Sequence, residues 1–155
     1  GFLNHSLRHF QFSTNLTLVR SEVDIPELEL IVARDARPNA PTTRDLQGQS
    51  PFIFNLDLGY ANPDIGFSAS TSYNIFGDRL SIVAEGATPD IYERGYGSLN
   101  FNASKKLLNN FELSLSASNL LDPVKKESQL FKGDEYLYSA FQTGRSFSLG
   151  IKYIL

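Results

Sequence analysis

Phe111-Glu112-Leu113-Ser114-Leu115-Ser116-Ala117-Ser118 decides how the rest of the chain is read. Successive side chains on a strand point to opposite faces, so Phe111, Leu113, Leu115 and Ala117 share one face and Glu112, Ser114, Ser116 and Ser118 the other. The same period of two recurs upstream and downstream. Phe10, Phe12, Leu16 and Leu18 share a face with Thr14, against Gln11, Ser13, Asn15 and Thr17. Phe52, Phe54, Leu56, Leu58 and Tyr60 oppose Ile53, Asn55, Asp57 and Gly59, and Phe67, Ala69, Thr71 and Tyr73 oppose Ser68, Ser70, Ser72 and Asn74. The strands expected are 8–21, 51–61, 66–85, 97–107, 111–121 and 144–155, which makes the chain all-β. An apolar face set against a Ser/Asn/Gln face is the pattern of a transmembrane β-barrel wall, with lipid outside and a polar lumen inside.

Composition agrees with that class and removes others. The chain has 155 residues, 14 basic and 17 acidic side chains and a net charge of −3, so it offers no polycation to nucleic acid. Hydrophobic content is 41% and no run approaches the 18 or so apolar residues of a membrane helix, whereas a barrel strand crosses with only about 9–11 residues, half of them polar. Cysteine is absent, which excludes disulfides, thiolate metal sites and a Cys nucleophile. With no methionine and no leader-like opening, Gly1 reads as the edge of a fragment.

The connections give the wall a direction. Residues 22–50 are rich in charge, Pro and Thr, with an apolar patch, Leu28 to Val32, expected to form a hairpin. Asn62-Pro63-Asp64-Ile65 is a compact turn. Phe76-Gly77-Asp78-Arg79 resembles a second hairpin turn, but a reversal there would put the long 22–50 connection on the same side as the short turns. Barrels keep short turns on the periplasmic side and long loops outside. Strand three is therefore expected to run on through a glycine bulge to about Glu85. The scheme is six antiparallel strands, long outer loops at 22–50, 86–96 and 122–143, and short inner turns at 62–65 and 108–110. Six strands leave two unpaired edges, which a bilayer cannot satisfy, so they are expected to belong to a larger barrel.

Several stretches resemble the C-terminal end of TonB-dependent outer-membrane receptors of the Bacteroidota type, including the SusC-like group. They are Arg44-Asp45-Leu46-Gln47-Gly48-Gln49-Ser50-Pro51, Tyr73-Asn74 with Gly77 and Arg79, Pro89-Asp90-Ile91-Tyr92-Glu93, Asn119-Leu120-Leu121-Asp122, and Gly144-Arg145. The tail from Ser148 to Leu155 is similar to the signal read by the barrel-assembly machinery, with Gly150, Tyr153 and Leu155 in the key places. The family usually ends in Phe, whereas this chain ends in Leu155. The resemblance implies a barrel of about 22 strands around a plug. It also implies a bacterial outer-membrane location and energised uptake of a large or scarce nutrient such as a glycan, peptide or siderophore. The implied partners are outer-membrane lipid, the remaining strands and plug of the same receptor, TonB acting through the plug region, and a surface lipoprotein. The plug is absent from these residues.

Site chemistry is sparse. Asn55, Asp57, Asn100, Asn102 and Glu112 are the candidate lumen-facing residues, and Phe131, Tyr136, Tyr138 and Phe141 the candidate loop aromatics for stacking on a ligand. His5 and His9 have i,i+4 spacing, but on a strand those positions lie about 13 Å apart and do not share a metal. Asp90 with Glu93, or Asp134 with Glu135, read as solvated loop carboxylates before Ca²⁺ ligands. Gly95-Tyr96-Gly97 lacks the Lys and Ser/Thr of a phosphate loop, and Asn-x-Ser/Thr at Asn4, Asn15 and Asn102 is coincidental. No nucleophile–base–orienter set exists at readable spacing, so neither an enzyme nor a cofactor is expected. The competing readings are a receptor-like barrel recruited as a structural or assembly subunit of a secretion or insertion complex, and a soluble all-β binding module.

Overall fold

The structure is a computed structural model that describes residues 7–84, 86–108 and 110–153, with Leu108 described in its backbone only. In chain order the elements are β1 (Phe10–Leu18), β2 (Glu22–Asp24), α1 (Glu27–Ala36), β3 (Thr43–Asp45), β4 (Phe52–Asn62), a 3₁₀ turn (Pro63–Ile65), β5 (Phe67–Phe76) and β6 (Arg79–Ile82). They continue as β7 (Ile91–Glu93), β8 (Gly97–Leu108), β9 (Phe111–Ser118), β10 (Lys125–Phe131), β11 (Asp134–Phe141) and β12 (Ser146–Tyr153). The described residues are mostly strand, with α1 and the 3₁₀ turn as short helical segments among them, and the sheets are antiparallel.

The six amphipathic segments form one six-stranded sheet in the order β1-β4-β5-β8-β9-β12. Register carries each strand's alternation across the whole sheet. One row reads Phe12–Leu58–Thr71–Phe101–Ala117–Phe147, and the row beside it, on the other face, reads Gln11–Gly59–Ser70–Asn102–Ser116–Ser148. A one-residue slip anywhere would exchange the faces, so in-phase pairing over five interfaces is a strongly specified arrangement. The apolar face is bare: Phe12, Leu18, Leu149 and Ile151 are 68%, 72%, 69% and 73% exposed. The polar face is concave, because residues of both edge strands, β1 and β12, line the same hollow with the four strands between them.

Chain length is distributed unevenly between the sheet's two ends. The connections 63–66 and 109–110 are short and lie at one end; 19–51, 77–96 and 119–145 are long and lie at the other. The short end is made by the 3₁₀ turn, where the Asn62 side chain accepts from Asp64 N at 3.1 Å and Gly66 takes φ 59°. The long end carries a second sheet of four strands, ordered β11-β10-β7-β6. Each of its strands continues one wall strand: β6 follows β5, β7 precedes β8, β10 follows β9 and β11 precedes β12. The small buried core sits mostly here, with Leu80, Ile91 and Ala33 at 0%, 6% and 6% exposure; in the wall the buried apolar residue is Ala117.

Four expectations are corrected. Leu28 to Val32 is part of helix α1, not a hairpin: Pro26 stands at its start, Glu27 and Glu29 lie in its first turn where the helix dipole favours anions, and nothing within the patch turns the chain back. The flanks pair instead, β2 with β3. Strand three is not one continuous strand, and Glu85, its expected end, lies outside the described residues. It leaves the wall after Phe76 and resumes as β6 in the second sheet, although β6 pairs with β7 and not with β5, so the reversal at Gly77-Asp78 is indeed absent. The crossing there is tight: a Cβ on Gly77 would meet the Phe52 ring at 2.7 Å, and one on Gly95 would run into the Phe76 carbonyl. Residues 122–143 are not an open loop but largely a hairpin, closed by Lys132 and Gly133 at φ 54° and 95°, the double positive φ of a type I′ turn. Residues 86–96 likewise contain β7.

Candidate functional site

The hollow on the concave polar face has a volume of about 870 Å³. All six strands contribute to its surface, each with residues of the polar rows and with at least one apolar-row neighbour, such as Tyr60, Leu115 and Leu149. The five expected lumen-facing residues share this face: Asn55 stands opposite Asn74, Asp57 opposite Ser72, Ser72 opposite Asn100, Ser70 opposite Asn102, and Glu112 between Lys106 and Lys152. They are not gathered into one cluster. Asn55 accepts from Asn74 Nδ2 at 2.6 Å and Asn100 Oδ1 accepts from the backbone N–H of Asn119 at 3.0 Å, so those two amides brace the sheet. Among the residues lining the hollow only Asn102 belongs to the five, alongside Gln11, Ser70, Ser104, Ser116 and Ser148. The surface mixes these hydroxyls and amides with apolar side chains such as Phe10, Tyr60 and Leu115, and among the described residues Arg8 is its one formally charged residue.

At the long end, ion pairs join the small apolar core of Leu80 and Ile91 in binding the second layer together. Arg94 Nη1 meets Asp78 at 2.6 Å, its Nη2 meets Glu135 at 2.7 Å, and its Nε donates to Ser128 Oγ at 2.6 Å. Burial alone would push the Asp78 carboxyl up, but the Gly95 N–H at 2.8 Å and the Arg94 guanidinium outweigh it and hold the group below its ordinary value. The donated bond from Ser128, with Arg94 beside it, does the same for Glu135. Arg44, on β3, is 8% exposed in its side chain and pairs with both Glu29 of α1 and Asp90, tying the 19–51 connection to the 77–96 connection. Burial, then the nearby carboxylates Asp45 and Asp90, push the Tyr92 hydroxyl up to about 12, so it remains a neutral donor to Asp45.

An apolar groove of about 360 Å³ opens between this layer's elements, lined by Ala36, Ala87, Thr88, Pro89, Gln129, Phe131 and Tyr136. Phe131 and Tyr136 thus reach a common depression, with Lys132 Nζ 5.2 Å from the centre of the Phe131 ring. Tyr138 sits at the β11 bulge and Phe141 faces Lys125, whose Nζ lies 5.7 Å from its ring; neither lines the groove. The expected aromatic set is therefore split in two. A groove of this kind can stack a flat or ring-shaped neutral group beside one side-chain amide, of Gln129, and two hydroxyls, of Thr88 and Tyr136.

Gly150 and Tyr153 lie on β12, the latter packed on Phe111 at 4.9 Å between ring centres, whereas Leu155 lies outside the described residues, as do Asn4 and His5. Among the described residues no group of His, Asp or Glu is placed to hold a metal. His9 places Nδ1 3.0 Å from the Ala61 carbonyl and accepts from Arg8 Nε at Nε2. The sequence reading missed the Arg94 and Arg44 networks, for which alternation gives no signal; Lys132-Gly133 between two short runs was the available hint of the hairpin. Comparison with protein-family models, curated proteins and solved structures gives no match.

Proposed function

We propose that this chain is a closing portion of the barrel wall of a TonB-dependent receptor in a bacterial outer membrane, of the Bacteroidota SusC-like kind, and serves energised uptake of a large or scarce nutrient. The observation that carries the reading is the bare apolar face running in register across six strands, opposite a concave polar one. In water such a face has no cover, since burying a large apolar side chain contributes roughly 1.5–3 kcal/mol and here a whole sheet face forgoes it. In a bilayer the same face is solvated by lipid tails. The uneven ends support the reading as well, because outer-membrane barrels keep their long connections outside.

On this reading Asn55, Asp57, Asn100, Asn102 and Glu112 face the lumen and its plug, and the groove of Phe131 and Tyr136 faces the medium. Function is binding and gated passage, with no bond made or broken. The remaining wall, of about 22 strands in all, and the plug that contacts TonB are supplied by chain beyond these strands. The test is cross-linking of the complete protein in energised cells. A TonB adduct that disappears when an uncoupler is added is the expected result. A complete protein that cross-links only to secretion or insertion subunits would assign the wall to an assembly role instead.

A further inference from the structure

The second sheet has two edges, and the structure treats them differently. At the β6 edge the chain 46–49 lies alongside, with Gly48 N donating to Leu80 O at 2.8 Å and Gln47 Nε2 to Ser81 O at 2.8 Å. At the β11 edge no described residue bonds. β11 is nevertheless the kind of strand that natural proteins rarely leave open: Tyr136, Leu137, Tyr138 and Phe141 are 48%, 64%, 59% and 54% exposed, and it contains neither Pro nor Lys. Its recognisable protections are one bulge, at Tyr138, and the charges of Asp134 and Glu135 at its first two positions.

The bare edge also lies on the same side of the molecule as the free edge of β12. The wall runs β5-β8-β9-β12 and the second sheet runs β6-β7-β10-β11, strand above strand. The step between β12 and β11 is braced to the step between β9 and β10. Asn119 Nδ2 donates to the Gly144 carbonyl at 2.6 Å, Gly144 N donates to Asp122 Oδ1 at 3.0 Å, Gln142 Nε2 to the Asp122 carbonyl at 2.9 Å, and Arg145 Nε to the Leu120 carbonyl at 2.8 Å. The two free edges therefore form a single line with one rigid step.

We propose that this line is one seam, and that the antiparallel strand which closes the wall against β12 continues past the step and pairs with β11. This rests on the barrel reading and adds to it. The occupant is a single strand long enough to run against residues 134–153, alternating apolar and small polar residues opposite β12 and breaking its alternation opposite 142–145. Pairing on both sides removes the two open edges together, in lipid and above it.

Peptide-resolved amide hydrogen exchange on the complete protein in detergent tests the seam. A strand paired on one side leaves about half its amides free, and one paired on both sides leaves almost none. Slow exchange throughout both 134–141 and 146–153 is expected. Slow exchange throughout 146–153 with about half of the 134–141 amides fast would overturn the seam and leave the barrel reading standing. Half-protected amides in 146–153 would overturn the barrel closure and the seam with it, whatever β11 shows.

Discussion

Leu115 and Ser116 are neighbours in the chain and stand on opposite faces of the six-stranded sheet. Leu115 stands in a row with Ala103 and Leu149 on the bare face, and Ser116 in a row with Asn102 and Ser148 on the concave one. On the proposed barrel reading an Arg at the first position puts charge into hydrocarbon, while at the second it enters a polar hollow. Leu115→Arg is expected to cost about 2–4 kcal/mol near the midplane, and Ser116→Arg much less. Urea titration of the folded, membrane-inserted protein measures both, and equal losses would mean that the faces are exchanged. Asp78 gives a second residue-scale test. Its folded-state pKa is depressed, so its stabilisation is present above the ordinary value of 3.8 and is lost as pH falls through the still lower folded value. Protection of the Gly95 amide, which donates to Asp78, should decline on acidification in that window. In Asp78→Asn it should be weaker at neutral pH and free of that step.

Glycines set the limits of the elements. A Cβ on Gly95 would collide with the backbone carbonyl of Phe76, which cannot swing aside, whereas a Cβ on Gly150 would meet Ser114 Oγ at 2.5 Å, the movable end of a small side chain. Gly95→Ala is expected to destabilise by about 1–3 kcal/mol, the usual cost of overpacking, and to loosen β6 and β7. Gly150→Ala should cost less and be restored by Ser114→Ala; a double mutant no better than the single one would contradict that contact. The six wall strands were legible in the sequence because each pairs a lipid-like face with a water-like one, and alternation records that difference. Helix α1 was not, since Glu27-Leu28-Glu29-Leu30 also alternates and imitates a strand. β10 was not either: Lys125-Lys126-Glu127-Ser128-Gln129 has no apolar rhythm, because Arg94 and Glu135 bond its Ser128 while Ser81 and Ser139 bond its Glu127.

At the scale of the molecule, the chain divides between a six-stranded and a four-stranded sheet. A wall with almost no buried core stands below a small layer held by Leu80, Ile91 and a set of ion pairs. That Asn55, Asp57, Asn100, Asn102 and Glu112 share one face of the sheet was legible from alternation, but the separation of the four aromatics was not, since sequence order groups Tyr138 and Phe141 with Phe131 and Tyr136 while the bulge and the hairpin register divide them. The central claim is that the alternating faces of the six strands divide lipid from a polar interior. It is tested most directly by placing single cysteines along 146–153 of the complete protein, where the native segment offers no competing thiol. Each carries a fluorophore, and the protein is reconstituted into vesicles containing brominated lipid. Strong quenching at Phe147, Leu149 and Ile151 and weak quenching at Ser146, Ser148, Gly150 and Lys152 is the predicted result. Uniform quenching along the strand, or none at any position, would contradict the account.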